Sequence, residues 1–433
     1  MNSIWNYDRN TPEFKTQSED LKTDVLIIGG GIAGILCAYF LKQQGIDYIL
    51  AEADRIFQKT TVNTIAKITY EHGLIYDKLI KRFGVEAAKM YLDINKAALS
   101  KYQELSKNIQ CDFEMKDAYV YSVSNVNKIE NEIRAYEKIG IVPDFAEKLT
   151  IPINIKGALR IKDQAQFHPV KFLYSISKDL NIFENTKAIE FLPGKVKTNR
   201  GTIKADKIIV TTHFPILNKH GSYFLKLYQH RSYVIAYKNA QNVDGMYIDE
   251  DMKGLSFRNH KDLLLLGGGS HRTGKCGGNW EELSEFAKNK YKDAVEVSRW
   301  ATQDCMTLDG MPYIGQYSKN IPELYVATGF NKWGMTSSMA AALILNDLIN
   351  DKENPYASLF SPSRSILTPQ LLINGAESLI GLLTPKRPRC PHLGCALKYN
   401  KAEHSWDCSC HGSRFSKDGK LLDNPSTDDI KKP

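Results

Sequence analysis

The sequence predicts an α/β protein in which a strand-turn-helix unit at the front is interleaved with an antiparallel sheet, followed by a small lobe rich in cysteine and histidine. Three observations carry this. An apolar run, Val25-Leu26-Ile27-Ile28, leads into G-x-G-x-x-G at Gly29, Gly31 and Gly34, and Ile35 to Gln44 continues as a helix. Residues 228–270 alternate apolar and polar, as in Tyr233 to Tyr237, the period of strands with one buried face. Near the end, Cys390-Pro391-His392 is answered by Cys408-Ser409-Cys410-His411.

Each element follows in order. The glycines permit a tight turn, let the backbone approach a pyrophosphate and seat the helix on the strand, while the helix N-terminus attracts phosphate charge. A second strand, Tyr48-Ile49-Leu50-Ala51, ends at Glu52, placed to accept hydrogen bonds from a ribose diol. Residues 71–109 read as helices (Tyr76 to Phe83, then Val85 to Leu105), and 112–165 as strands opening the second sheet. Phe167 to Asp179 reads as a helix, and Ala205 to Val210 as a strand returning to the first sheet. The proline-bearing run 354–369 reads as a linker. Pro369 then opens a helix, Gln370 to Leu383, whose apolar positions Leu371, Leu372, Leu379, Ile380 and Leu383 are expected to dock on the body; a membrane surface or partner protein is the alternative.

At 433 residues the chain exceeds one ordinary domain, so two or three packed units are expected. The net charge of +8 is spread along the chain without an aromatic-interleaved basic block, which excludes a nucleic-acid binder. No run reaches the ~18 apolar residues of a membrane span, and the polar start Met1-Asn2-Ser3-Ile4 reads as no signal peptide. A cytoplasmic protein is expected, with Cys37, Cys111, Cys276 and Cys305 as reduced thiols.

The C-terminal pattern resembles a Rieske 2Fe-2S site, in which Cys390 and Cys408 would hold one iron and His392 and His411 the other. Two imidazoles in place of two thiolates raise the reduction potential above that of an all-cysteine cluster. Four Cys/His ligands also suit tetrahedral zinc, although this spacing is uncommon for zinc. The further pair Cys395 and Cys410 matches Rieske proteins of the cytochrome bc type, where it forms a disulfide. Such proteins commonly place Ser and Tyr hydroxyls near the cluster sulfurs; here Ser413 is followed by Phe415, which implies a lower potential. Only 388–433 remain for this lobe, too little for a complete Rieske domain with its base barrel, so a body or subunit surface must support it.

The front resembles FAD enzymes of the glycine oxidase and D-amino-acid oxidase superfamily. Thr60-Thr61-Val62-Asn63 lies where they wrap a polar loop over the cofactor; Asp309-Gly310-Met311-Pro312-Tyr313-Ile314-Gly315 resembles their D-G-x-P-x-I-G segment; and Gly329-Phe330 followed by Gly334 resembles the element beside the flavin ring. Phe57-Gln58-Lys59 stand where relatives often carry glycines. Taken whole, the chain resembles bacterial FAD-dependent oxidoreductases fused to a C-terminal Rieske segment. That implies a Rossmann-like FAD-binding domain (about 22–110, 165–215 and 300–350), a substrate sheet (about 112–165 and 225–300), a linker and helix (351–387) and the cluster lobe (388–433). FAD would be held by Gly29, Gly31, Gly34, Glu52, Thr60, Thr61, Gly329 and Gly334.

The resemblance implies a dehydrogenase more than an oxidase: hydride from a small amine or amino-acid-like substrate to flavin, then single electrons to the cluster and a protein partner. Lys332 matches the arginine that binds the substrate carboxylate in glycine oxidase-like enzymes; Arg258, then Arg231 and His271, are further candidates. Cys305 could be a covalent flavin anchor as in sarcosine oxidases, but reads better as a buried structural thiol. The alternative is a flavin-to-Rieske relay for a separate protein, without its own organic substrate; a redox sensor is a third reading. A reductase fed by NADH would need a second nucleotide fingerprint, which Gly267-Gly268-Gly269 does not complete.

Overall fold

The computed structural model describes residues 3–6, 13–217, 220–385 and 388–431. Met1-Asn2 of the polar start and Lys386-Arg387 before the lobe lie outside them. The opening strand Leu21–Ile28 sits at the centre of a mostly parallel sheet, with Tyr48–Ala51 and then Ile182–Phe183 on one side, and Gly201–Val210 and then Ile321–Thr328 on the other. Continuous apolar residues are what a strand covered on both faces requires, and Val25 to Ile28 are at most 4% exposed. The helix Ile32–Gln43 packs against the long helix Gly334–Ile349. Helices Tyr76–Phe83 and Val85–Ser106 stand where the apolar spacing puts them.

The second sheet runs, in spatial order, Val295–Thr307, Leu227–Lys238, Leu263–Arg272, Ser256–His260, Met246–Asp249, Glu114–Ser122, Gly157–Gln166 and Lys67–Ile68. It is antiparallel except where Met246–Asp249 lies parallel to Glu114–Ser122. Two helices interrupt the stretches read as strand: Val126–Lys138 and Trp280–Lys290. Each begins at an asparagine whose side chain accepts from the backbone N–H two residues on, Asn125 from Asn127 and Asn279 from Glu281. Such caps satisfy one of the orphan donors of a helix start. In the first, Ile129, Glu132 and Tyr136 face inward at helical spacing.

The helix Pro369–Leu383 begins at Thr368, whose hydroxyl caps Leu371 N–H. Its packing differs from expectation. Leu372 (77% exposed), Leu379 (58%), Ile380 (58%) and Leu383 (73%) point outward, and the buried positions are Asn374 and Gly381. Polar contacts decide the orientation: Arg272 donates to Asn374 Oδ1 at 2.7 Å and Lys275 pairs with Glu377. At Gly381 a Cβ would stand 2.7 Å from Cys410 Sγ, so this face approaches the lobe only because it carries no side chain. Four short antiparallel strands build the lobe: Leu397–Asn400, Ser405–Cys408, Arg414–Ser416 and Leu421–Asp423.

Candidate redox site

A cavity of about 800 Å³ opens between the two sheets. Gly29, Gly31, Glu52, Thr60, Thr61 and Gly334 line it. Gly34 and Gly329 stand behind the wall; at Gly34 a Cβ would lie 1.9 Å from Gly29 O, so the helix can seat on the turn only with glycine there. The Glu52 carboxylate accepts from Gly30 N–H (2.6 Å) and Asp54 N–H (2.9 Å), and burial pushes its pKa up. Thr61 Oγ1 accepts from Ile32 N–H at the helix start, and Thr60 Oγ1 donates to Gln303 O. Phe57 (φ 61°) and Lys59 (φ 57°) adopt the left-handed backbone that glycine favours. The loop thus keeps a glycine-like path without glycines. A turn of glycines at a helix start, an acid ending the second strand and a long cavity between them fit FAD.

Lys332 also lines the cavity; its ammonium donates to Ser232 Oγ and Ser270 Oγ, and burial lowers its pKa against the opposing pull of Asp304. Arg258 is not among the residues that line the cavity. It is fully buried away from the cavity, and its guanidinium donates to the carbonyls of Ile65 (2.7 Å) and Ala66 (2.8 Å), bracing the backbone of the cavity loop. Arg231 is committed to Glu403, and His271 stacks on Tyr233. Cys305 is buried, and burial pushes its thiol up to about 12, which favours the protonated form.

The two cysteine-histidine loops are built alike: Gly394 N–H donates to Cys390 O and Gly412 N–H to Cys408 O, so each forms a tight turn after its first cysteine. Cys395 and Cys410 stand as a disulfide-bonded pair joining the loops. The imidazoles of His392 and His411 lie 4.9 Å apart between centroids. Burial lowers both, His392 to about 4 and His411 to about 3, keeping them neutral as metal ligands require. Among the described residues buried His411 Nδ1 has no hydrogen-bond partner, and the interaction between the two thiols raises Cys390 and lowers Cys408. Two facing thiols, two neutral imidazoles and an orphaned ring nitrogen fit a Rieske-type cluster.

The lobe turns this edge inward. Phe214 packs edge-on against His392 and Phe224 against His411. Gln229 donates to His411 O (3.1 Å) and Asn424 O (2.8 Å), Gln303 to Gly412 O (2.9 Å), and Arg272 to Ser409 O and Cys410 O, both at 2.9 Å. Asn424 in turn donates to Thr212 O and Phe214 O, and Asp423, Asn424 and Ser426 line the same cavity as the glycines. Sequence reading missed this docking set. Its one available signal was the strand alternation: Tyr228 and Ser232 line the cavity, while Gln229 and Arg231 reach the lobe.

The fold and site define a flavoprotein body carrying an iron-sulfur lobe. Family comparison agrees: residues 24–348 match the FAD dependent oxidoreductase model and 383–433 the Rieske 2Fe-2S domain. The chain belongs to the FAD dependent oxidoreductase family, with FAD and a Rieske-type 2Fe-2S cluster as its cofactors. It is 35% identical to "Putative Rieske 2Fe-2S iron-sulfur protein YhfW" of Bacillus subtilis (strain 168), over 99% of this chain and 97% of that one. Gamma-glutamylputrescine oxidoreductase of Escherichia coli (strain K12) is 22% identical over 78% of this chain and 85% of its own. Glycine oxidase from Geobacillus kaustophilus shares the fold, with a TM-score of 0.68, 17% identity, and coverage of 80% of this chain and 100% of that one. Among the described residues no helix is long and apolar enough to cross a membrane.

Proposed function

We propose that the chain is a dehydrogenase of a small amine or amino-acid-like substrate that sends electrons singly through its cluster to a protein partner. One observation carries the reading: His213 lines the cavity and the next residue, Phe214, touches His392. The body and the cluster lobe are therefore in contact through consecutive residues. When bound, FAD supplies a hydride acceptor and the cluster a one-electron carrier.

The remaining work falls to side chains. Gly29, Gly31 and Gly34 shape the phosphate turn, Gly329 and Gly334 the later turn and helix start, Glu52 takes the ribose diol, and Thr60 and Thr61 close the loop over the cofactor. Cys390, Cys408, His392 and His411 are the cluster ligands, clamped by Cys395–Cys410. Lys332 orients a substrate carboxylate, and Arg258 positions the loop that carries Ala66. Free buried thiols at Cys37, Cys111 and Cys305 support a reducing, cytoplasmic location.

The test is anaerobic mixing of the holoprotein with a panel of amines and amino acids. Flavin bleaching followed by a rhombic paramagnetic resonance signal from the reduced cluster is expected. Bleaching without that signal would refute the coupling, and bleaching by a protein partner alone would refute the organic substrate.

A further inference from the structure

The cavity wall carries a carboxylate that, among the described residues, has no protein partner of its own. Asp304, on the strand Val295–Thr307 opposite His230, lines the cavity half-buried. Among the described residues its carboxylate makes no hydrogen bond and no ion pair; Lys332 and Arg231 act on it only through space. Arg231 is occupied by Glu403, and the Lys332 ammonium is held by Ser232 and Ser270. Two opposite charges thus face one cavity without touching. A half-buried carboxylate with no donor is costly unless something supplies one. Neighbouring His230 offers no cation: burial, then Lys332, lowers it to about 3, and among the described residues its Nδ1 is without a hydrogen-bond partner.

We infer that Asp304 is a substrate-binding residue that accepts hydrogen bonds from a cationic nitrogen, while Lys332 takes a carboxylate, so that the cavity selects small zwitterions over simple acids or simple amines. This rests on the reading of the cavity as an amine or amino-acid site, and it names the charge pattern of the substrate. The spacing explains the selection. Were the two side chains in contact they would neutralise each other; held apart, both are met at once only by a ligand bearing both charges. Burial also pushes the Asp304 carboxyl up, so the site is most receptive to cations when that proton is lost.

The test titrates holoprotein with acetate, ethylamine and N-methylglycine under anaerobic conditions, reading flavin absorbance. Asp304→Asn should raise the half-saturating concentrations of ethylamine and N-methylglycine at least about tenfold, as expected for losing a charge-assisted hydrogen bond, and leave acetate within about twofold. Lys332→Met should weaken acetate and N-methylglycine instead, and Asp304→Glu should recover amine binding in part. Asp304 makes no internal hydrogen bond, so flavin content and the cluster signal of the variant should match the wild type; loss of either would make Asp304 structural and overturn the proposal. Equal weakening of all three ligands, or none, would also overturn it while leaving the amine-oxidising reading intact. A wild-type protein that responds to none of the three refutes that reading itself.

Discussion

Glu403 is the position where one substitution should separate the lobe from the body. Its carboxylate is shared by Arg231 of the second sheet (Nε to Oε1, 3.0 Å) and Arg414 of the lobe (Nη2 to Oε2, 2.8 Å), and the three side chains are 10%, 5% and 7% exposed. Arg414 has further partners in Asp407 (3.1 Å) and Asp423 (3.0 Å); among the described residues the only carboxylate in contact with Arg231 is Glu403. Removing the charge therefore strands a buried guanidinium. The gross attraction at ~3 Å is about 5 kcal/mol at an effective dielectric constant of ~20, and breaking such a pair from one side costs about 3–5 kcal/mol. Glu403→Gln should lower docking stability by about 3 kcal/mol, whereas Glu403→Leu with Arg231→Met, which removes both charges, should cost about 1 kcal/mol or less. Urea titration read by visible circular dichroism of the cluster and by flavin fluorescence distinguishes the cases: Glu403→Gln should lose the cluster signal before the flavin signal. A cost below about 1 kcal/mol, or a double variant as unstable as the sum of its singles, would refute the argument that this pair ties the lobe down.

Three further outcomes follow from the same geometry. Gly34→Ala puts a methyl 1.9 Å from Gly29 O, so the purified variant should carry little flavin; full flavin content would disprove the close packing. Glu132, fully buried, accepts from Tyr76 N–H (2.7 Å) and Asp77 N–H (3.0 Å) and is pushed by burial from 4.5 to about 7. Its folded pKa lies above the unfolded one, so that increment of stability is complete below pH 4.5 and disappears as pH rises through about 7. Urea stability should fall by about 1–3 kcal/mol across this range, and Glu132→Gln should flatten the slope. Ser426 N–H donates to Ser413 Oγ at 2.9 Å, and the Ser413 hydroxyl lowers the Cys390 thiol. Ser413→Ala should drop the cluster potential by roughly 40–60 mV, the equivalent of about 1 kcal/mol for one electron, and Phe415→Tyr should raise it if its hydroxyl reaches a cluster sulfur. Redox titration followed by paramagnetic resonance reads both.

What could be read from sequence was what depends on local pattern. The glycine turn, Glu52 and the two ligand loops are short-range motifs, and each stands in the strand-turn-helix or hairpin context that its spacing requires. Helices Val126–Lys138 and Trp280–Lys290 were hidden because short apolar segments do not separate strand from helix, although Asn125 and Asn279 were available as caps. The helix Pro369–Leu383 shows a different limit. Its apolar positions were legible, but its buried side is set by Arg272, Lys275 and the closeness of Gly381 to Cys410, all long-range facts. Arg258 and Lys332 looked alike as candidate cations; only the fold places one behind the cavity loop and the other inside the cavity.

The lobe's small size and its orientation have one cause. Its core is little more than the four loop cysteines with Leu397 and Phe415, too small to stand without support. Support comes from the strand Leu227–Lys238 and its neighbours, which offer Gln229, Arg231, Arg272 and Gln303 to the carbonyls and acids of the lobe. Those partners lie on and around the histidine loop, so the edge bearing His392 and His411 is the edge that must be covered. Because successive residues of a strand point to opposite sides, the strand that carries Gln229 and Arg231 toward the lobe carries Tyr228 and Ser232 toward the cavity. The contacts that steady the lobe thereby set its histidine loop against the strand whose other side lines the cavity.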